Sequence, residues 1–311
     1  MAPASEGEVQ RKLLEFRAEQ KKFEIGGVTV GGQPGVRPCV LIGSIFYHGH
    51  KINTDEARGD FRRDEAEKAI RIKEEYSERT GNPAMLDVVG ATPEALRRHL
   101  EFAAGATRMP LLIDGTTVDV RLAGLKYVAE AGLAQRCVYN TIQPEVGDAE
   151  LRAIQEAGVE SAVILAYYMK DFTARGRFKA VSELVPRVQQ AGIRKLLIDT
   201  CVMDLATMGQ ALSAIFQVKD ELGLPAGAGV HNAIAVWRGL KSKLGEEARP
   251  LCIASAVASA ISVGADFVLY GPVEDAKNVF PAAGMIDTVF SQLAMENGKR
   301  PDKSHPRYRI G

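Results

Sequence analysis

The chain has 311 residues, 46% hydrophobic and 25% charged, with 39 Lys plus Arg against 39 Asp plus Glu. That balance leaves no bulk charge to draw it to nucleic acid or a membrane surface, and it has no run of about 18 apolar residues to span a bilayer. The start, MAPASEGEVQRKLLEF, lacks the apolar centre of a signal peptide, and Cys39, Cys137, Cys201 and Cys252 are widely spaced, so reduced thiols in a cytoplasmic protein are expected.

In chain order, residues 7–22 are polar and helix-prone, with Leu13, Leu14 and Phe16 as apolar anchors, and predict a helical extension over 1–22. FEIGGVTVGGQPG (23–35) is two short β segments split and ended by glycines, a hairpin-like cap. Strands are expected at 38–46, 84–89, 110–114, 136–140, 161–166, 195–199, 226–231 and 266–270. Helices are expected near 63–79, 92–105, 118–132, 148–158, 179–192, 204–222, 232–244, 251–264 and 275–297. Thr92-Pro93-Glu94 supplies an N-cap and a first-turn proline, and the helix that follows Asp148 closes on Gly158. The strands are nearly continuous apolar runs such as SAVILAY, as parallel strands covered on both faces require. Eight strands alternating with helices predict a single-domain α/β protein, a (β/α)₈ barrel over 1–311. An open doubly wound sheet is the alternative; no GxGxxG follows the first strand to support it.

Four of the apolar runs, AMLDVVG, PLLIDGT, CVYNTI and KLLIDT, carry Asp87, Asp114, Asn140 and Asp199 at or near their ends. Barrel active sites lie at the C-terminal ends of the strands. Carboxylates are acceptors only, so several in one pocket suit a ligand rich in N–H donors, such as a pterin, or a cation. Taken singly, each could merely cap the loop or helix that follows it. Asn232, in GVHNA, could hold a reacting nitrogen or serve as an N-cap for 232–244. His48 and His50 form an H-x-H, but the later strands end without the further His ligands a metal site needs, so no metal is expected. Gly271-Pro272 turns the chain at the barrel mouth. Tyr270 and Asn278, and the pair Tyr167-Tyr168, either reach the pocket or serve packing. Cys39 and Cys137 read as core.

The strings FEIGGVTVGGQPG, VLIGSIFYHGHKI, TGNPAMLDVVG, LLIDGT, VYNTI, AVILAY, LLID, GVHNA and ADFVLYGP carry a resemblance that covers the chain from about residue 20. It resembles the H-subunit family of tetrahydromethanopterin S-methyltransferase and the related bacterial corrinoid-dependent tetrahydrofolate methyltransferases, including the glycine betaine type. HNA looks closer to the archaeal proteins, IGSIFY and DVVG to the bacterial enzymes. The resemblance implies a barrel, often a homodimer, that binds a reduced pterin. It moves a methyl group between pterin N5 and the cobalt of a separate corrinoid protein. By similarity, Asp114, Asn140 and Asp199 would hold the amino-pyrimidine edge, Asp87 would join them, and Asn232 would sit near N5. The chain lacks a D-x-H-x-x-G corrinoid signature, so the corrinoid is expected on the partner. Tetrahydrofolate is the first expectation, giving 5-methyltetrahydrofolate. The alternatives are an archaeal-type subunit using tetrahydromethanopterin, or a dihydropteroate-synthase-like pterin enzyme.

Overall fold

The computed structural model describes residues 13–311. Two short strands, β1 (Lys22–Ile25) and β2 (Val28–Gly31), form an antiparallel hairpin. The barrel begins with β3 (Val40–Ile45). A second hairpin, β4 (Asn53–Asp55) and β5 (Asp60–Phe61), leads to α1 (Arg63–Thr80). Then come β6 (Ala84–Gly90), α2 (Pro93–Ala106), β7 (Leu111–Gly115), α3 (Val118–Glu130), β8 (Cys137–Ile142) and α4 (Asp148–Glu156). They are followed by β9 (Ser161–Leu165), α5 (Ala174–Gln190), β10 (Lys195–Asp199), α6 (Leu205–Leu222) and β11 (Ala226–Ala228). Last are α7 (His231–Ala235), α8 (Gly239–Leu244), α9 (Ala248–Ser262), β12 (Phe267–Pro272) and α10 (Ala276–Glu296).

Strands β3, β6, β7, β8, β9, β10, β11 and β12 pair in chain order, all parallel, and β12 returns to β3, so the expected eight-stranded barrel closes. Alternation along each strand divides the core in two. Leu41, Leu86, Ile113 and Ile198 face outward into the helical ring. Val40, Ile42, Met85, Leu112, Val138, Val163, Leu197, Phe267 and Leu269 fill the interior. Ile25 and Val30 of the β1–β2 hairpin join that interior cluster and are fully buried, so the expected cap plugs the end of the barrel opposite the strand C-termini.

Thr92 caps α2 as expected, its Oγ1 accepting from Ala95 N–H at 3.1 Å. Three expectations differ. Residues 1–12 of the N-terminal extension lie outside the described residues, and 13–21 form a turn and bends instead of a helix. There the chain spends its donors on the end of α6: Arg17 N–H bonds Asp220 at 2.8 Å and Lys21 N–H bonds the Gly223 carbonyl at 2.7 Å. The helix expected over 232–244 is two short helices, α7 and α8, broken at the β-branched Val236 and followed by Gly239, both poor helix formers. Asn232 is accordingly no N-cap; that position is Val230.

Candidate functional site

The polar layer of the site stands directly on the apolar one. Moving two residues along a strand returns to the same face. Ile42, Met85, Leu112, Val138 and Leu197 are therefore each followed on the inner face by Ser44, Asp87, Asp114, Asn140 and Asp199. All five polar residues line a cavity of about 550 Å³ at the C-terminal face, together with Asn232. The structure thus brings every expected pterin residue into one cavity. Asp87 and Asn140 lie in mid-strand, deeper than a loop cap would lie.

Asn140 knits the carboxylates together. Its Nδ2 donates to Asp87 Oδ1 at 3.1 Å and to Asp114 Oδ2 at 3.4 Å. Ser44 Oγ donates to Asp87 Oδ2 at 2.6 Å. Burial pushes the Asp87 pKa upward, and the bonds from Ser44 and Asn140 work against it. Asp114 is held well above the usual carboxylate range, first by burial and then by the negative charge of Asp87, with Arg121 pulling the other way. Arg121 stands behind the wall, donating to the Gly115 carbonyl at 2.9 Å and to Tyr139 at 3.0 Å, which ties down the strand end beside Asp114. Lys73, fully buried on α1, donates to the Met85 carbonyl, and burial lowers its pKa to about 7.

Asp199 ends β10, where Cys201 takes a left-handed φ of 59° that a non-glycine residue adopts only at some cost. That turn brings Cys201 N–H to Asp199 Oδ1 at 2.8 Å. Burial raises the Asp199 pKa to about 6, opposed by the N–H groups of Cys201 and Gly229. Asn232 Nδ2 donates to the Val202 carbonyl at 3.0 Å, leaving Oδ1 as an acceptor. The site therefore offers acceptors almost throughout. Among the described lining residues Arg249 is the sole Lys or Arg, and Asp275 already engages it through two bonds at 2.9 and 2.8 Å.

The remaining candidates separate. His48 also lines the cavity but is exposed, and it bonds Glu56 at 2.8 Å. His50 is buried, accepts from Phe46 N–H at 3.0 Å and meets Glu274 at 2.7 Å. No group of three or more His, Cys, Asp or Glu able to hold a metal ion occurs among the described residues. Tyr270 lies on the outer side of the wall against Phe280, and Asn278 bonds Asp275 at 3.3 Å. Tyr167 packs on Phe172 and Tyr168 lies beneath Lys179; neither lines the cavity. All four cysteines are free. No helix among the described residues is long and apolar enough to cross a membrane. Sequence reasoning missed His231 and Arg249, which do line the cavity.

Residues 18–301 match the family model described as tetrahydromethanopterin S-methyltransferase MtrH subunit. The tetrahydromethanopterin S-methyltransferase H-subunit of Methanothermobacter thermautotrophicus is 37% identical over 309 residues, covering 96% of this chain and 100% of that one. The H-subunit of a putative methyltransferase, mtx, of Methanosarcina barkeri is 35% identical, covering 94% of this chain and 98% of that one. Among solved structures, Yersinia pestis dihydropteroate synthase with a pterine–sulfa conjugate superposes with a TM-score of 0.63 at 18% identity, covering 88% of this chain and 100% of that one. Xanthomonas albilineans dihydropteroate synthase with 7,8-dihydropteroate gives 0.59 at 19% identity, covering 86% and 98%. At that identity the likeness concerns the barrel fold.

Proposed function

We propose, from the premise that the chain belongs to the MtrH family of tetrahydromethanopterin S-methyltransferase subunits, that it transfers a methyl group to or from N5 of a reduced pterin held in this cavity. The observation that carries the reading is the acceptor layer of Asp87, Asp114, Asn140 and Asp199 around one cavity. The amino-pyrimidine edge of a pterin presents several N–H donors side by side, and charged acceptors bind such donors more strongly than neutral ones. A cavity of about 550 Å³ is of the size that small-molecule ligands occupy.

The names of the relatives favour tetrahydromethanopterin over the tetrahydrofolate first expected. The two share the pterin head that this wall would read, so the acceptor layer supports either. A dihydropteroate-synthase-like reaction needs convergent basic groups for pyrophosphate, and a single arginine already paired with Asp275 does not provide them.

The methyl donor belongs to the same reading: a corrinoid on a separate protein would offer its methyl group at the mouth to a nitrogen lone pair. This chain's residues would orient the ring and keep N5 facing outward, which accounts for much of the acceleration in a transfer between two fixed partners. Asn232, in the first turn of α7 after β11, would set the position of N5. The homodimer expected from the resemblance is retained as part of the proposal.

Calorimetry with purified chain, tetrahydromethanopterin and tetrahydrofolate tests the reading. One of the two is expected to bind, and Asp114→Ala and Asp199→Ala to weaken it by about 10-fold or more each, since a hydrogen bond to a charged group contributes roughly 1.5–3 kcal/mol. Unchanged affinity in both variants removes the assignment of the site.

A further inference from the structure

His231 opens α7 immediately before Asn232, and its ring forms part of the cavity wall. Its Nδ1 lies 3.1 Å from the Leu269 carbonyl of β12; a carbonyl only accepts, so Nδ1 carries the proton. Gly271, at φ +84°, leaves room for the ring: a Cβ there would stand 2.9 Å from His231 Cβ and Cγ. Gly229 borders the ring too, where a Cβ would lie 3.5 Å from Cε1. The ring is thus held in one tautomer, and Nε2, with its lone pair, makes no hydrogen bond among the described residues.

Burial holds this histidine below the ordinary imidazole range, opposed by the Leu269 carbonyl; of the nearby charges, Arg249 on α9 lowers it further and Asp275 raises it. Asp199 on β10 shares the cavity and faces the N–H of Gly229. A ring so placed is neutral near pH 7 and free to accept.

We propose that His231 Nε2 is the proton acceptor for N5 during methyl transfer, an inference that rests on the reading above. The N5 lone pair forms the new bond to carbon, and the methyl group's bond to its donor breaks, its electron pair leaving with the donor. N5 then carries a positive charge and its remaining N–H becomes acidic. That proton passes to Nε2, and the resulting imidazolium keeps its Nδ1 bond to Leu269. In the reverse direction the imidazolium protonates the methylated N5 and makes it a competent leaving group. Asn232 cannot take this part, because an amide does not change charge near neutral pH. Asn232 would position N5 and His231 would move the proton.

Nitrogen NMR of histidine-labelled full chain is the first test. It is expected to place the proton of His231 on Nδ1, with protonation below the range of a free imidazole; a proton on Nε2 overturns the proposal. The second uses His231→Gln with free methylcobalamin as methyl donor and the pterin selected by calorimetry. Single-turnover transfer is expected to fall about 100-fold or more, pterin affinity to stay within about three-fold, and the acidic limb of the pH–rate profile to disappear. Transfer near the wild-type rate, or a retained acidic limb, overturns the proposal. A wild-type chain that binds neither pterin instead defeats the methyl-transfer reading itself, which is distinguishable from a bound pterin with an indifferent His231.

Discussion

Asp287, on α10, accepts both of its bonds on one oxygen: Asn82 Nδ2 donates to Oδ2 at 2.6 Å and Cys39 N–H at 3.1 Å. Burial raises its pKa to about 7. The folded chain therefore keeps this proton between about pH 4 and 7, where the unfolded chain has released it. Stability from this group is full below that window and is lost as pH rises through it, by up to about 4 kcal/mol at roughly 1.36 kcal/mol per pKa unit. Asp287→Asn keeps an acceptor for both donors and cannot ionise. Its melting temperature is expected to exceed wild type at pH 8 and to match it near pH 4; a lower value at pH 8 contradicts the argument. At the mouth, Asn232→Ala is expected to slow methyl transfer by about 10-fold or more while affinity changes little, so a loss confined to KM would remove its positioning role. The wall carboxylates were legible because each interrupts an apolar run two places after an inward apolar residue. His231 was not legible, because its tautomer is set by a carbonyl 38 residues further along the chain.

Among the elements, the barrel strands announced themselves as unbroken apolar runs, since each is covered on both faces. The β4–β5 hairpin did not: its strands have three and two residues, too short for any alternation to register. The 232–244 segment misled because two short helices share the composition of one long one. The β1–β2 hairpin was visible through its glycines, but its burial against the barrel floor was not. Ile25 is fully buried there. Ile25→Ala is expected to cost about 2–5 kcal/mol, read as a lower urea midpoint, with pterin affinity unchanged. An affinity loss as large as that of Asp114→Ala would show that floor and site are not separate.

For the molecule as a whole, a ligand that touches β6, β7, β8 and β10 at once fastens half of a closed ring. Pterin at about 100 times its dissociation constant should add about 2.7 kcal/mol to folded stability. A rise in melting temperature of about 5 °C is expected, and Asp114→Ala should lose most of it at the same concentration. A wild-type chain whose melting does not respond contradicts the site. The plug formed by Ile25 and Val30 has a kinetic consequence as well. A tube stoppered at one end works as a stack: whatever lies deepest enters first and leaves last. Pterin and methyl donor would then obey a compulsory order, and excess donor arriving at a vacant barrel would form a dead-end complex and slow turnover.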